Sequence, residues 1–399
     1  MTLPKFSIPP EFSSQLRLVE SLDTRTDDEI LVSLSTFSPV TSEKNIWAYW
    51  HSGLSSIPPW CQRNIANWSR LCGPSWNIHV LDNVPTSPNY VLKWVEPGLL
   101  PEAFVNNTMD GPYVGPHSAD FLRGACLYKY GGVYMDVGII LFRSLDSLCW
   151  DRLSDPSSPY QVSVPWMYGS VMANHFVASR KGDPFIKAWH DLFVHLWKGR
   201  KNYQGIGLDP LVAFCQTLDF GDAQRRGFKW EFEVDPFTVM QYIGQVIAWL
   251  RLCIIDGGDT GEINWAEYAK EKIFWYDVLE ENFGAEIIVG FTGQPLYDAL
   301  AAKLDVDKES EEYKTAYKLV WRLLTQSSMQ KITHGKELTK TPALGLLWDL
   351  EENKDKDIEP GTFAELLRFG SVHFEQTRKV EAVEYKVPSE VLHKGVFEP

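Results

Sequence analysis

One stretch of the sequence decides the fold, and it reads Pro116-His-Ser-Ala-Asp-Phe-Leu-Arg-Gly-Ala-Cys-Leu-Tyr-Lys-Tyr-Gly-Gly-Val-Tyr-Met-Asp136-Val-Gly138. Apolar side chains recur at helical spacing between residues 121 and 128, so we predict a helix over residues 118–130 with Ser118 as its N-cap. Gly131-Gly132 is expected to end that helix, since glycine tolerates the left-handed conformation of a C-terminal cap. The apolar run over residues 133–142 then predicts a strand.

Three charged residues of this stretch are predicted to converge near one strand end. Asp120 and Arg123 lie three apart on the helix and therefore share a face. Side chains alternate along a strand, so Tyr134, Asp136 and Gly138 should point the same way. An arginine fork suits phosphate or sugar oxygens, and a carboxylate accepts sugar hydroxyls or binds a metal that bridges phosphates. The pattern predicts a site for a polar ligand that carries a diphosphate and hydroxyls.

A purely structural interpretation of the same residues stays open. Asp120 and Arg123 would then form an exposed ion pair on the helix, which contributes about 0.3–0.5 kcal/mol. Asp136 would be a turn residue at the end of a strand. However, Asp is rare in strands, and an acid inside an apolar strand needs a partner or a ligand. The order of the three residues around Gly131-Gly132 favours a functional role.

The sequence on either side alternates between strand and helix patterns. Residues 45–50 predict a buried strand, residues 60–71 a helix and residues 76–81 a second strand, which together make a βαβ unit. Further helices are predicted after Asp183-Pro184, after Asp235-Pro236 and over residues 311–326, and a late strand over residues 286–291. We therefore predict an α/β fold with a Rossmann-like mixed central sheet, flanking helices and helical additions.

Composition narrows the class of function. The chain has 399 residues and a formal net charge of −14, which argues against a nucleic-acid partner but allows a local basic cluster that binds an anion. Six scattered Cys residues predict free thiols and a cytoplasmic location. We expect no signal peptide in the polar, proline-containing residues 1–12 and no membrane span in residues 237–255, which are too short and too polar. A nucleotidyltransferase is disfavoured, because no G-x-G-x-x-G or P-loop string is present.

The string S-x-D-x-x-R followed by L-Y-x-Y-G-G-V-Y-x-D resembles the D-x-D glycosyltransferases. These include enzymes similar to family 32 mannosyltransferases, the capsular-polysaccharide-synthesis type and, more distantly, the large clostridial glucosylating toxins. The resemblance is specific over residues 117–142, extends less sharply to 46–82 and 172–184, and is faint at 329–336. It implies a GT-A fold, whose sheet binds a nucleotide-sugar donor. A hexose would move from a UDP- or GDP-sugar to a hydroxyl acceptor, such as a small natural product, with retention.

The resemblance also implies roles for individual residues. Asp120, Arg123 and Asp136 would form the catalytic donor cluster, in which Asp120 and Arg123 hold sugar hydroxyls and Asp136 contacts ribose or sugar and a metal. Further donor contacts would come from Trp47, Tyr49, His51, Tyr134, His334 and Lys336, and acceptor contacts from Asn174 and His175. Core packing explains Trp47 and Tyr49 equally well at this stage.

The D-x-D motif departs from the family at its second acid. That acid usually ligates Mn²⁺ or Mg²⁺, and here its position is Gly138. Three outcomes stay open. A metal could be held by Asp136, the diphosphate and His334; cationic side chains could replace the metal; or the chain could be an inactive sugar-nucleotide-binding scaffold.

The expected domain organisation follows from the same resemblance. Residues 1–44 are predicted to form an N-terminal extension packed on the body, and residues 45–399 a single GT-A-like domain. Within that domain, residues 45–200 would bind the nucleotide sugar, and residues 200–399 would supply the acceptor side and helical additions. The sequence does not fix the oligomeric state.

Overall fold

The computed structural model describes residues 5–168, 171–334 and 338–399. The strands are β1 (Leu16–Leu18), β2 (Asn45–Tyr49), β3 (Asn77–Leu81), β4 (Gly132–Met135), β5 (Ile139–Leu141), β6 (Val162–Tyr168), β7 (Val171–Met172), β8 (Phe176–Ser179), β9 (Ile273–Asp277), β10 (Met329–Lys331) and β11 (Phe374–Gln376). The helices are α1 (Asp27–Leu34), α2 (Pro59–Cys72), α3 (Glu102–Val105), α4 (Val114–Tyr130), α5 (Asp151–Ser154), α6 (Pro184–Leu196), α7 (Gly221–Arg225), α8 (Pro236–Tyr242), α9 (Gly244–Cys253), α10 (Trp265–Lys272), α11 (Val278–Asn282), α12 (Glu286–Val289), α13 (Gly293–Ala301), α14 (Glu311–Gln326), α15 (Leu344–Trp348) and α16 (Phe363–His373).

The central sheet is mixed, which confirms the predicted fold class. Its strands follow the order β3-β2-β4-β8-β6-β7, and β9 pairs with β6. Strands β3, β2 and β4 run parallel, whereas β8 is antiparallel to both β4 and β6. Because three neighbouring strands are parallel, their carboxyl ends meet at one edge of the sheet, where ligands bind in open α/β sheets.

Helices cover both faces of this sheet because the side chains of its strands alternate. Ile46 and Ala48 of β2 belong to one hydrophobic core, which includes Trp68 of α2. Trp47 and Tyr49, the intervening residues, belong to a second core with residues of α4 and α6. The buried strand pattern of NIWAY therefore serves two cores, as expected for a strand with no solvent face.

Several predicted helices are confirmed. Helix α2 begins at Pro59 and ends at Cys72, and α14 occupies Glu311–Gln326 as the sequence predicts. Helix α6 begins after Asp183, whose carboxylate accepts a hydrogen bond from the Ile186 N–H over 2.9 Å. This side-chain cap satisfies one of the orphan donors of the first turn.

The predicted start of α4 is wrong. The helix begins at Val114, so Ser118 lies inside it, and the Ser118 hydroxyl donates to the Val114 carbonyl over 2.6 Å. A serine within a helix can satisfy itself in this way, one turn back along the backbone. Pro116 falls in the first turn, where its missing N–H costs nothing. Asp120 is therefore past the first turn of the helix.

Two strand predictions are also wrong. The run over residues 133–142 forms two strands, β4 and β5, separated by a turn at residues 136–138 in which the Ile139 N–H donates to the Asp136 carbonyl over 3.1 Å. Residues 286–291 contain helix α12 and not a strand. The helix ends at Val289, and the next residue, Gly290, has a φ of 84°. A short apolar run such as residues 287–289 fits a strand and a single helical turn equally well, so its pattern could not separate them.

The N-terminal residues contact the C-terminal part of the chain. Strand β1 pairs antiparallel with β11, with Leu16 opposite Gln376. Phe12 stacks on Trp321 of α14 at a centroid distance of 5.0 Å. The division into an extension and a single domain stays a prediction. No helix in the described ranges has the length and apolar content that a bilayer crossing needs.

Candidate active site

Helix α4 carries the two charged residues of the motif on one buried face. Arg123 Nη1 donates to Asp120 Oδ1 over 2.5 Å, and Arg123 is only 2% exposed. The pair is therefore not the exposed ion pair of the structural interpretation. A buried guanidinium needs several acceptors to offset its desolvation, and Arg123 has two more, on Gln245 and on Asp136.

The turn after β4 places Asp136 beside this pair. Asp136 Oδ1 accepts a hydrogen bond from Arg123 Nη2 over 3.2 Å, and the Asp136 N–H donates to the His175 carbonyl over 3.0 Å. The Asp136 side chain is 29% exposed, whereas that of Arg123 is 3% exposed. Arg123 thus joins two carboxylates, and Asp136 is the member of the cluster that a ligand can reach.

A second cation binds Asp136 from a distant part of the sequence. Lys331 at the end of β10 donates from Nζ to Asp136 Oδ2 over 2.8 Å. Burial acts to raise the pKa of Asp136, but the positive charges of Lys331 and Arg123 outweigh it, so that pKa lies below its usual value. Asp136 is therefore ionised at neutral pH and a weak base.

Gln245 and Asn174 complete the hydrogen bonds around Asp120. Gln245 Oε1 accepts from Arg123 Nη1 and, over 3.1 Å, from Asn174 Nδ2. Asn174 Nδ2 also donates to Asp120 Oδ1 over 3.1 Å, and Gln245 Nε2 donates to the Asp120 carbonyl over 2.5 Å. Asn174, predicted on the acceptor side, thus lies next to the donor cluster and is partly exposed.

His175 supports the cluster through its backbone and not through its ring. The ring is 6% exposed, and Nε2 accepts a hydrogen bond from Asn282 Nδ2 over 2.7 Å. Burial, reinforced by the charge of Lys331, lowers the pKa of His175 to about 3, so the imidazole is neutral. The His175 ring is therefore held in the interior, away from a bound acceptor.

Trp47 and Tyr134 are core residues in this structure. The Trp47 indole is fully buried, donates to the Gly131 carbonyl over 2.9 Å and stacks on Tyr130. The Tyr134 ring is 1% exposed and lies 4.7 Å from the Arg123 guanidinium carbon. Because both rings are buried, neither offers surface on which a nucleotide base could stack.

His51 borders a cavity with a mixed polar and apolar lining at the same edge of the sheet as Asp136. His51 follows β2 and Asn83 follows β3, and both line a cavity of about 120 Å³ together with Asn107 and Ser118. The Tyr49 hydroxyl lies 2.9 Å from His51 Nδ1, and burial lowers the pKa of His51. The cavity lies where the parallel strands end, as expected for a nucleotide subsite. A larger cavity of about 360 Å³, beside Tyr128, contains none of the predicted site residues.

The two predicted residues near the C-terminal segment have different outcomes. His334 Nε2 lies 3.1 Å from Asp349 Oδ2, and its ring lies against Trp60 at 5.6 Å. The polar partner of the His334 ring is thus Asp349 and not Asp136. Lys336 lies outside the described residues.

Sequence reasoning missed three contacts of the cluster. Lys331 lies five residues before Lys336, the lysine that was predicted to contact the diphosphate. Lys331 is close to Asp136 because β10 pairs with β5, and no local sequence pattern predicts that pairing. Gln245 had a signal, because it is a polar residue within a predominantly apolar stretch. His117 belongs to the motif itself, and its Nδ1 lies 3.5 Å from Asp120 Oδ2.

The residues present do not fit a metal held by the D-x-D motif. Asp136 has both carboxylate oxygens bonded to cations, and Gly138 supplies no ligand. In the described ranges, no group of three His, Cys, Asp or Glu side chains could hold a metal ion. A divalent ion at Asp136 would also meet the charges of Lys331 and Arg123 at close range.

Comparisons with known proteins agree with the motif. Residues 12–206 match the family model described as capsular polysaccharide synthesis protein. The chain is 49% identical over 397 residues to the probable glycosyltransferase FCK3 of Fusarium pseudograminearum, covering 98% of this chain and 99% of that protein. It is 39% identical to the O-glycosyltransferase braB of Annulohypoxylon truncatum, covering 98% of this chain and 94% of that one.

A further relative and one solved structure extend the comparison. The O-glycosyltransferase PaGT of Phomopsis amygdali is 34% identical, covering 100% of this chain and 99% of that protein. The solved PaToxG glycosyltransferase is a loose match, which covers 56% of this chain and 93% of its own at 19% identity and a TM-score of 0.30. The full-length relatives establish that the chain is a glycosyltransferase of the same family as these fungal proteins, and its residues 12–206 match the capsular polysaccharide synthesis model.

Proposed function

We propose that the protein transfers a hexose from a UDP- or GDP-sugar to a hydroxyl group of a small natural product, with retention of anomeric configuration. The observation that carries this proposal is the cluster of Asp120, Arg123 and Asp136 at the carboxyl edge of the sheet. Arg123 is fixed by acceptors on α4, on α9 and in the turn after β4, so its positive charge is preorganised. Preorganised charges are what a departing diphosphate needs as negative charge develops on it.

The state of Asp136 supports retention. Both of its oxygens accept hydrogen bonds from cations, and its pKa is lowered, so it is poorly suited to remove a proton from an acceptor hydroxyl. An inverting enzyme needs a general base close to that hydroxyl. A retaining enzyme of this kind has no need of a strong base, and the cluster is consistent with that route.

An apolar acceptor is supported by an aromatic group that packs on the His175 ring. Phe283 lies 5.5 Å from the His175 ring, and Trp230 contacts both Phe283 and Phe291 at 5.3 and 4.7 Å. Trp230 and Phe291 are partly exposed, so they offer ring surface to a ligand. Two of the relatives are named O-glycosyltransferases, which supports a hydroxyl group as the acceptor atom.

Donor turnover with an isosteric variant tests the proposal. Asp136→Asn should lower transfer and donor hydrolysis by at least ~10²-fold, the scale for one preorganised charged contact, while the protein stays folded. A panel of UDP- and GDP-sugars identifies the donor, and NMR of the product identifies the anomer. Asp191→Asn is the matched control, because Asp191 pairs with Lys187 on the surface of α6. Equal turnover by wild type and Asp136→Asn at saturating donor would contradict the site.

A scaffold that binds sugar nucleotides without turning them over is the second candidate. Gly138 favours it, since the family's second acid is missing. Slow hydrolysis of a nucleotide sugar by water separates the two, because a transferase shows it and a scaffold does not. The same assay therefore serves both candidates.

We also infer that the protein works in the cytoplasm and has no nucleic-acid partner. All six Cys residues are buried and unpaired, including Cys61 and Cys126, which suits a reducing compartment. The net charge of −14 opposes contact with a polyanion. Fractionation of cells that express a tagged chain tests the location.

A further inference from the structure

Strand β10 is fixed against the turn that carries the incomplete motif. It pairs antiparallel with β5, with Lys331 opposite Ile139 and Met329 opposite Leu141. One residue further, the Ile332 N–H donates to the Gly138 carbonyl over 2.8 Å. The backbone of β10 therefore continues along the turn at residues 136–138 and delivers Lys331 to Asp136.

The same pairing explains why residue 138 is a glycine. A Cβ atom built on Gly138 would lie 2.5 Å from the Ile332 carbonyl oxygen and 3.7 Å from Lys331 Nζ. The obstacle is backbone, so rotation of a side chain cannot relieve it. An aspartate at this position, the family's second acid, is excluded by the strand that brings the ammonium group.

Replacing the second acid and its metal ion by Gly138 and Lys331 leaves the net charge at this position unchanged. In the usual motif, two carboxylates and one divalent ion sum to zero, and here one carboxylate and one ammonium group also sum to zero. Lys331 Nζ lies 2.8 Å from Asp136 Oδ2, and its side chain is 14% exposed. The bond to Asp136 uses one of the three N–H donors of an ammonium group.

We propose that Lys331 is a built-in cation that binds the donor diphosphate in place of a divalent metal, and that Gly138 is the adaptation that admits it. The inference rests on the proposed function, because it assumes a donor with a diphosphate. Lys331 would act with Arg123, which holds the other oxygen of Asp136. The ammonium group stabilises the negative charge that grows on the diphosphate as the bond to the sugar breaks.

Equilibrium binding without a metal tests this directly. UDP, GDP and inorganic pyrophosphate serve as probes, titrated calorimetrically into the full chain in EDTA and again in Mn²⁺. The wild type should bind its preferred nucleotide with the same Kd within about twofold in both buffers. Lys331→Met should weaken that binding by about 10- to 100-fold in EDTA, the range for losing a hydrogen bond to a charged group.

Two further variants separate charge from structure. Lys331→Arg keeps the cation and should bind more tightly than Lys331→Met. Lys270→Met is the matched control, because Lys270 pairs with Glu267 at the same 2.8 Å but on an exposed helix face, and it should bind as the wild type does. Thermal unfolding of each variant establishes that it is folded before binding is compared.

The outcomes distinguish this proposal from the one on which it rests. A wild type that binds the nucleotide only in Mn²⁺, or a folded Lys331→Met that binds as tightly as wild type, overturns the role of Lys331 and leaves the donor class intact. A wild type that binds none of the probes in either buffer overturns the nucleotide-sugar donor and this inference together.

Discussion

A methyl group at Gly138 tests whether strand β10 shapes the donor site. In Gly138→Ala, the new Cβ atom would lie 2.5 Å from the Ile332 carbonyl oxygen, and ordinary contact begins at 3.4 Å. The two backbones must therefore separate by about 0.9 Å, which stretches the hydrogen bond from the Ile332 N–H to the Gly138 carbonyl. Overpacking of this kind costs about 1–3 kcal/mol, and we expect a loss of about 2 kcal/mol in the free energy of unfolding.

The same displacement should weaken donor binding. Lys331 precedes Ile332, so moving that backbone lengthens the 2.8 Å contact between Lys331 Nζ and Asp136 Oδ2. Gly138→Asp should lose at least as much stability and gain no affinity for Mn²⁺, because its carboxylate cannot be accommodated. Urea denaturation measures stability, and calorimetry with UDP or GDP in EDTA measures binding.

Gly98→Ala is the matched control for this experiment. Nothing lies within 4 Å of a Cβ atom at Gly98, and the backbone there has no positive φ. Its free energy of unfolding should change by less than about 0.5 kcal/mol, as for ordinary surface substitutions. If Gly138→Ala is as stable as Gly98→Ala and binds the nucleotide as the wild type does, the reasoning about β10 is refuted.

Three further substitutions test the remaining assignments. Trp47→Phe should lower the free energy of unfolding by about 1–3 kcal/mol, because the Gly131 carbonyl loses its buried donor. The Kd for the nucleotide should not change. A higher Kd would instead place the Trp47 ring in the donor site. Gln245→Leu should cost about 1.5–3 kcal/mol in urea denaturation, because a charged donor loses its acceptor; no loss would mean that water replaces it. Burial raises the pKa of Glu286 to about 7 in the folded chain. Between about pH 4.5 and pH 7, the folded chain therefore holds a proton that the unfolded chain has lost. The free energy of unfolding of the wild type should fall as the pH rises through this window. Glu286→Gln keeps an acceptor for Gln330 and should be more stable than wild type at pH 8 but not at pH 4; equal stability at pH 8 would contradict the raised pKa.

Local sequence patterns were sufficient to predict features that lie within a single helix. Helix α14 was predicted with its observed bounds, and the start of α6 follows from the Asp183-Pro184 pair. The pairing of Asp120 with Arg123 follows from helical geometry alone. These features depend on residues a few positions apart, and sequence reports such distances directly.

Contacts between distant segments were beyond such reasoning. Arg123 and Gln245 are 122 positions apart, and Asp136 and Lys331 are 195 apart, so only the fold brings them together. The break between β4 and β5 has the same origin. The apolar run resumes on both sides of Asp136 and Gly138, but β5 leaves the central sheet to pair with β10. Trp47 was undecided for a related reason, since an aromatic residue in a strand serves a core or a ligand equally well.

The second acid of the motif shows how a local pattern can mislead about activity. Taken alone, Gly138 indicates a degenerate site, and it is the feature that favours a scaffold. In the fold, Gly138 is the residue that lets the Ile332 carbonyl approach, and that approach carries Lys331 to within 2.8 Å of Asp136. Loss of function alone would not explain why an ammonium group lies where the metal ion of the usual motif would bind. The glycine is therefore better explained by a replaced cation than by lost function, and an active transferase is the candidate that accounts for both residues.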